Sequence, residues 1–306
     1  MKFKPSIALL MTPLLLTGCN VFEDIFYVTV KGEGEVVTSE YENKDYEKFT
    51  TLNVSDLRMP NNRASVKVYE SADEHKIVVK AQENIEEKIK VKFLGTTIYV
   101  EAGEYEKYST DAIEIEVYGF TFSTVKLSTI RGWIYENTLN TSNALIDCSA
   151  ASYVEAYNVQ SEKVEVKASG ASYSYVPISK ENISELKCSV SGASDVTINA
   201  STNTIANTYL NVSGASLVRL TGNTNYLEAS VSGASEVNAP KFLANEVKVN
   251  LSGASNVAIN VANKLRAQLS GASTLTYYSS NENLDFSSPN VSGGSRIIKG
   301  KLDDIA

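Results

Sequence analysis

The sequence has few of the residues that metal sites and hydrolytic active sites require. It contains a single histidine, His75, and three cysteines among 306 residues. It has no Cys/His cluster with metal-ligand spacing, no calcium-binding loop, no phosphate-binding glycine loop and no nucleophile elbow. We therefore expect no metal and no cofactor, and we interpret His75 as a surface histidine in a turn.

Only one apolar run stands out, and it lies at the start of the chain. Residues 7–16 follow two early lysines, and residues 16–19 read Leu-Thr-Gly-Cys, which resembles the lipobox of bacterial lipoproteins. The run is too short to span a bilayer. The sequence predicts a signal peptide over 1–18, a lipid attached to Cys19 and a lipidated tether over 19–27; a plain secretory signal with an incidental cysteine is the alternative.

The charge is acidic and has no basic block. The formal net charge is −8, and removal of Lys2 and Lys4 with the signal peptide would make it −10. This balance argues against nucleic acid as a partner. Since no second apolar run could span a membrane, we expect attachment to the membrane through the N-terminal lipid alone.

A four-residue motif, Ser-Gly-Ala-Ser or a near copy, occurs eight times in the second half. The copies begin at Ser149, Ser169, Ser191, Ser213, Ser232, Ser252, Ser270 and Ser292. Apolar residues stand one and three positions before each copy, and a polar residue stands between them. This alternation predicts a strand with one face in a core before each motif, and a second short strand recurs after it.

A unit of about 20 residues with two strands cannot bury its own apolar face, but stacked units can. The repeat therefore predicts an all-β, single-stranded parallel β-helix over residues 141–300, with successive turns about 4.8 Å apart. At each corner, glycine permits a positive φ, alanine is small enough to stack, and the serine hydroxyls can bond to backbone groups that leave the sheet.

Residues 28–140 are more charged and less periodic. Alternating runs such as SVKVYE, KIVVKA and IEIEVYG read as strands. We expect irregular β coils that lead into the solenoid and cap its open end, because an exposed edge invites aggregation.

The spacing also predicts the state of two cysteines. Cys148 and Cys188 precede the first and third motif copies, so they should lie two turns apart, about 9–10 Å along the axis. A disulfide needs Cα atoms within about 7 Å. We expect two buried free thiols.

The segments VKGEGEVV, FTTLNVSDLRMPNNRASVKVYE and KIKVKFLGTTIYVEA, followed by the serial SGAS corners and VSGGSRIIKG, resemble the bacterial family of auto-transporter adhesins with a head GIN domain. The resemblance covers residues 28–300. It implies a β-helical protein that is secreted or lipid-anchored and acts in adhesion. The sequence departs from the repeated corner at Ala150 and Gly294, which lie in the first and last copies.

Tyrosines supply the candidate binding residues. Tyr153 and Tyr173 occupy the same position in adjacent turns, so we expect their rings to stack on the outer surface. Tyr157 and Tyr175 are close to them in sequence, and Trp133 and Tyr135 come just before the first regular turn. Aromatic rings suit sugar rings, although an outer aromatic ladder can also serve only to stabilise a sheet.

Two acidic residues have a predicted spacing similar to that of glycosidase carboxylates. Asp195 and Glu236 follow corners two turns apart, with Leu217 between them. A separation near 10 Å would be compatible with an inverting mechanism. Isolated surface carboxylates are far commoner, and we expect no enzyme activity.

The sequence therefore predicts a lipid-anchored, non-enzymatic protein of the outer membrane or cell surface that adheres to or binds glycans or surface proteins; a periplasmic orientation stays open. The alternatives are a structural or regulatory envelope protein without glycan binding, and a degenerate carbohydrate-active enzyme on a β-helix.

Overall fold

The computed structural model describes residues 28–59, 64–103, 106–110, 112–135, 139–286 and 289–305. The predicted signal peptide, Cys19 and the tether over 19–27 lie outside the described residues. Within them no helix is both long enough and apolar enough to cross a membrane.

Strands dominate the described chain. The first group is β1 (Val28–Lys31), β2 (Val36–Glu42), β3 (Thr51–Ser55), β4 (Ser65–Tyr69), β5 (Lys76–Gln82), β6 (Lys90–Leu94), β7 (Thr97–Glu101), β8 (Glu106–Ser109) and β9 (Glu114–Tyr118). The second group is β10 (Thr124–Ser128), β11 (Arg131–Ile134), β12 (Asn143–Ser149), β13 (Tyr153–Ala156), β14 (Lys163–Ala168), β15 (Tyr173–Pro177) and β16 (Ile183–Val190). The last group is β17 (Asp195–Val212), β18 (Leu217–Val231), β19 (Glu236–Leu251), β20 (Asn256–Leu269), β21 (Thr274–Tyr278), β22 (Asn290–Val291) and β23 (Arg296–Lys299). The helices are one α-helical turn, Glu83–Glu86, and two 3-10 turns, Tyr46–Lys48 and Leu302–Ile305.

From Thr124 to Lys299 the chain forms a parallel β-helix of about eight turns. Strands that lead into a corner form sheet 1, and strands that leave a corner form sheet 2; each of β17 to β20 bends from sheet 2 into sheet 1. The register advances by 20 residues from Tyr153 to Tyr173 and by 22 from Tyr173 to Asp195. The predicted parallel β-helix with about 20 residues per turn is confirmed.

The core is a set of columns of equivalent apolar side chains. Val190 pairs in register with Val212, and Val212 pairs with Val231. Each of these side chains is at most 2% exposed. The period-2 alternation before each motif copy therefore marks inward-facing residues, as predicted.

The corner motif is explained by its backbone geometry. The glycines at the second motif position, such as Gly192 and Gly214, have φ between +67° and +79°. The carbonyl of Gly192 accepts a hydrogen bond of 2.7 Å from the Ala215 N–H one turn on. The second motif serine is buried: Ser194 Oγ donates to the Ser191 carbonyl at 2.9 Å and accepts from the Ser172 N–H at 3.2 Å. These bonds satisfy backbone groups that the corner removes from the sheets.

Chain order breaks down in the first half of the chain. The turn made of β3 and β4 lies between the turn made of β7 and β9 and the turn made of β10 and β11. Between β9 and β10 the chain therefore passes over the β3–β4 turn, which comes earlier in the sequence. Parallel pairing in chain order begins at Thr124, ahead of residue 141, because β10 and β11 pair with β12 and β13 although the corner between them lacks the motif.

Antiparallel strands finish the N-terminal end of the solenoid. Strand β6 pairs antiparallel with β7 on sheet 1, and β5 and then β2 continue sheet 2 beyond β9. Antiparallel pairing stops the helical advance, so this arrangement covers the end of the parallel stack in the way expected of a cap.

Cys148 and Cys188 are free and buried, as the spacing predicts. Strand β14 separates the strands that carry them, and Cys188 shares a column with Val166. Burial raises the pKa of the Cys148 thiol to about 11 and that of the Cys188 thiol to about 12. Both residues therefore act as small apolar core residues.

Candidate functional site

Sheet 2 carries a continuous group of aromatic side chains on its outer surface. Successive side chains of a strand alternate between core and solvent, so strands β9, β4, β11, β13 and β15 each place their outward residues in shared columns. Eight aromatic residues fall at these positions, and we call them the aromatic face: Tyr69, Tyr118, Trp133, Tyr135, Tyr153, Tyr157, Tyr173 and Tyr175.

The longest column holds four tyrosines. The ring centroids of Tyr118 and Tyr69 are 5.1 Å apart, those of Tyr69 and Tyr135 are 4.8 Å apart, and those of Tyr135 and Tyr157 are 5.3 Å apart. All three pairs are stacked, with interplanar angles of 6–16°. The backbone sets this order, because the Tyr135 N–H bonds to the Val68 carbonyl and the Tyr157 N–H bonds to the Ile134 carbonyl.

The residues predicted from the sequence lie in the same face. Tyr153 and Tyr173 pair in register, and their rings stack at 4.9 Å with an interplanar angle of 12°. Trp133 is tilted by 50° against Tyr153 at 6.2 Å. Tyr157 and Tyr175 are on adjacent strands but one column apart, so the predicted four residues form a contiguous patch rather than one ladder.

Stacking determines which atoms a ligand can reach. Near-parallel rings about 5 Å apart cover much of each other's faces in an offset arrangement. The surface therefore presents ring edges and rows of phenol groups, with the tilted Trp133 indole among them. Tyr157 is 37% exposed, the largest exposure in the face.

Five phenols of the face have a raised pKa. Burial and the Glu155 carboxylate raise the pKa of Tyr153 to about 12, and burial and the Glu116 carboxylate raise that of Tyr118 to about 12. Burial also raises the pKa of Tyr69, Tyr157 and Tyr173. At physiological pH every one of these hydroxyls is a neutral donor and acceptor.

Two of the eight residues escaped the sequence analysis. Tyr69 and Tyr118 belong to β4 and β9, which precede the motif-bearing region in the chain. A weak signal was present: VKVY, IEVY, GWIY and VEAY all place a tyrosine directly after an inward-facing position. The stacking of Tyr118 on Tyr69 and of Tyr69 on Tyr135 could be inferred only from the position of the β3–β4 turn, which is out of chain order.

The acidic pair considered for hydrolysis lies farther along sheet 2. Asp195, Leu217 and Glu236 form one column, so the two carboxylates stand two strands apart, about 9.6 Å along the axis. Asp195 accepts two hydrogen bonds, of 2.6 and 2.8 Å, from Nη1 of Arg219. The apolar side chain between them and this ion pair both oppose a shared role in acid–base chemistry.

His75 has a packing role. Its ring stacks on Tyr46 with centroids 3.4 Å apart and meets Phe120 edge-on at 6.3 Å. Across the described part of the chain, no group of three or more His, Cys, Asp or Glu side chains is placed to hold a metal ion.

A second concave surface follows the corners, and we call it the corner groove. It is lined by first-position motif serines and by the polar residues two positions before them, among them Asn211, Ser213, Asn250, Ser252, Gln268 and Asn290. These side chains are neutral and short. The groove offers hydroxyl and amide groups but none of the aromatic surface of sheet 2.

Comparison of the sequence with protein families gives one match, over residues 59–200 and 177–280, to the family described as "Putative auto-transporter adhesin, head GIN domain". Together these ranges span most of the solenoid and all of the aromatic face. No curated protein matches the chain.

Solved structures share the fold at low sequence identity. A "putative lipid binding protein" from Parabacteroides distasonis superposes with a TM-score of 0.61 at 13% identity, covering 90% of this chain and 99% of that one. A "putative adhesin" from the same organism gives 0.54 at 15% identity, covering 90% and 98%. A "putative adhesin" from Parabacteroides merdae gives 0.54 at 15% identity, covering 90% and 96%.

Proposed function

The chain belongs to the head GIN domain family of auto-transporter adhesins, and we propose on that premise that it is a non-enzymatic, lipid-anchored adhesin of the cell envelope that binds glycans at the aromatic face. The observation that carries the proposal is the contiguity of eight outward aromatic side chains over five adjacent strands. Contiguous exposed apolar surface of this kind marks interaction sites.

The chemistry of the face suits a polyhydroxylated ligand. Sugar rings combine apolar C–H faces with hydroxyl edges, and tyrosine and tryptophan combine apolar rings with polar tips. Phenol groups that repeat about every 5 Å along a column can bond to successive hydroxyls of an extended chain. Rings that are fixed by stacking lose little conformational entropy when a ligand binds.

The location follows from the predicted N-terminus. Acylation at Cys19 would attach the protein to the outer membrane, and a short tether would leave the rigid solenoid free to present sheet 2 outside the cell. Protease treatment of intact cells tests this: degradation of the solenoid supports surface exposure, and protection until the outer membrane is opened places it on the periplasmic face.

A glycan array probed with the soluble form, which starts after Cys19, tests the binding proposal. We expect at least one glycan to bind, and we expect the double variant Tyr153→Ala/Tyr173→Ala to weaken that binding at least tenfold, since it removes two stacked rings from adjacent strands of the face. Circular dichroism and the thermal midpoint establish that the variant is folded.

The matched control is Tyr209→Ala/Tyr226→Ala. These two half-exposed tyrosines contact each other at 6.4 Å on sheet 1, away from the aromatic face. Their loss should leave binding unchanged. The absence of any bound glycan, or equal binding by both double variants, contradicts the proposal.

A further inference from the structure

One carboxylate, that of Glu155, lies among the aromatic side chains of strands β11, β13 and β15. On the outer surface of sheet 2, Glu155 has Trp133 beside it on one neighbouring strand and Tyr175 on the other. Along its own strand, Tyr153 and Tyr157 are the adjacent outward residues. All four nearest surface neighbours of this acid are therefore aromatic.

Two of these rings fix the position of the acid. Trp133 Nε1 donates to Glu155 Oε2 at 3.1 Å, and the Tyr157 hydroxyl donates to the same oxygen at 3.1 Å. Both donors are neutral, so they orient the carboxylate without balancing its charge. Glu155 is half-buried by the surrounding rings.

Three other outward acids have a cation beside them. Glu116 pairs with Lys80 at 2.8 Å, Asp195 pairs with Arg219 at 2.6 Å, and Glu228 pairs with Lys248 at 2.8 Å. Within the described residues no comparable ion pair reaches Glu155.

The nearest basic residues on sheet 2 are not directly beside Glu155. Arg131 pairs in register with Tyr153, which places it on a diagonal from Glu155, roughly 7–8 Å away between backbones. Lys67 pairs with Trp133, two strands from Glu155, about 9.6 Å along the axis. These two cations border the site on one side. On the side toward Tyr175 the next cation in the column is Arg219, three strands from Glu155, and it is paired with Asp195.

The missing counter-charge indicates the ligand. A neutral sugar lying over Glu155 would donate hydroxyl hydrogen bonds to the carboxylate but would supply no positive charge in exchange for the water that it displaces. An ammonium group would instead pair with the carboxylate and be attracted by the electron-rich ring faces of tryptophan and tyrosine. We propose that the aromatic face binds an amine-bearing glycan, a hexosamine polymer with free amino groups, whose ammonium sits against Glu155; this deepens the proposed glycan binding and rests on it.

The test compares two oligosaccharides of equal length by calorimetry on the soluble form. One is a glucosamine oligomer, measured at a pH at which its amines are protonated, and the other is its fully N-acetylated counterpart. We expect the free-amine oligomer to bind at least tenfold more tightly. The variant Glu155→Gln keeps an oxygen acceptor for Trp133 and Tyr157 but removes the charge, and it should lose at least tenfold affinity for the free-amine oligomer only.

Glu236→Gln is the matched control, because it removes one exposed negative charge from the same sheet outside the aromatic face. It should change the affinity less than twofold. Equal losses in both variants would mean nonspecific attraction of a polycation to an acidic protein and would overturn the inference. So would equal affinity for the two oligomers. In either case a glycan hit that depends on Tyr153 and Tyr173 would leave the broader proposal standing, whereas no glycan binding at all overturns both.

Discussion

Replacing Gly214 by alanine should destabilise the protein by about 2–5 kcal/mol, because it combines left-handed backbone strain with a clash that cannot relax. Gly214 has φ +79°, and a Cβ added there would lie 2.3 Å from the carbonyl oxygen of Gly192 in the turn below. That oxygen already accepts the Ala215 N–H at 2.7 Å, so moving it away would break the bond that joins the two corners.

The effect is measured as the shift in the urea midpoint of the soluble form, with hydrogen exchange at the Ala215 amide as a local readout. Gly294→Ala is the matched control, since Gly294 stands in the last corner, its φ is not positive, and its Cβ would come no closer than 3.7 Å to the Gly271 oxygen. Its midpoint should hardly change. Equal midpoints for the two variants would contradict the stacked-corner geometry.

Phe242→Ala should cost about 3–5 kcal/mol of the free energy of unfolding, the usual range for deleting a buried aromatic ring. Phe242 is fully buried in β19 and pairs in register with Gly222. A Cβ on Gly222 would lie 2.5 Å from the Ala200 oxygen, so the backbone beside Phe242 is already packed closely on the turn below.

The adjacent residue gives the control for this prediction. Leu243 is 42% exposed, and Leu243→Ala should change the free energy of unfolding by no more than about 0.5 kcal/mol, as is usual for surface substitutions. Thermal or urea denaturation of both variants decides the matter. A loss of similar size at the two positions would mean that Phe242 does not fill the core.

The regular half of the fold could be predicted because its information is local and repeated. Each motif copy specifies a corner, and the apolar residues before it specify which face is buried, so the alignment of Val190 with Val212 follows from counting. Ala150 shows the limit of this reasoning. Ala150 has a side chain at φ +52°, where later copies have glycine. The corner that it stacks on, between Ser128 and Arg131, is one residue shorter than the corner between Ser149 and Tyr153, and this explains why a side chain fits there.

The first half could not be predicted in the same way. Strands β4 and β9 carry the same alternation of apolar and polar residues, and that pattern specifies the buried face of a strand but not its neighbour. Chain order is then the natural expectation, and the chain departs from it. The same limit applies to the candidate site. Tyr69 stacks on Tyr135 because the β3–β4 turn is out of chain order, which the sequence does not reveal, whereas Tyr153 and Tyr173 lie in consecutive motif-bearing turns and could be paired by counting.

Trp133 gives the most direct test that the aromatic face is the binding surface, because it is the only tryptophan in the sequence and lies beside Glu155 and Tyr153. The soluble form is titrated with a glycan that binds on the array, while tryptophan emission and calorimetric heat are recorded together. The account predicts a saturable change in Trp133 emission with the same dissociation constant as the calorimetric one. Calorimetric saturation with unchanged emission would contradict it and would direct attention to the corner groove.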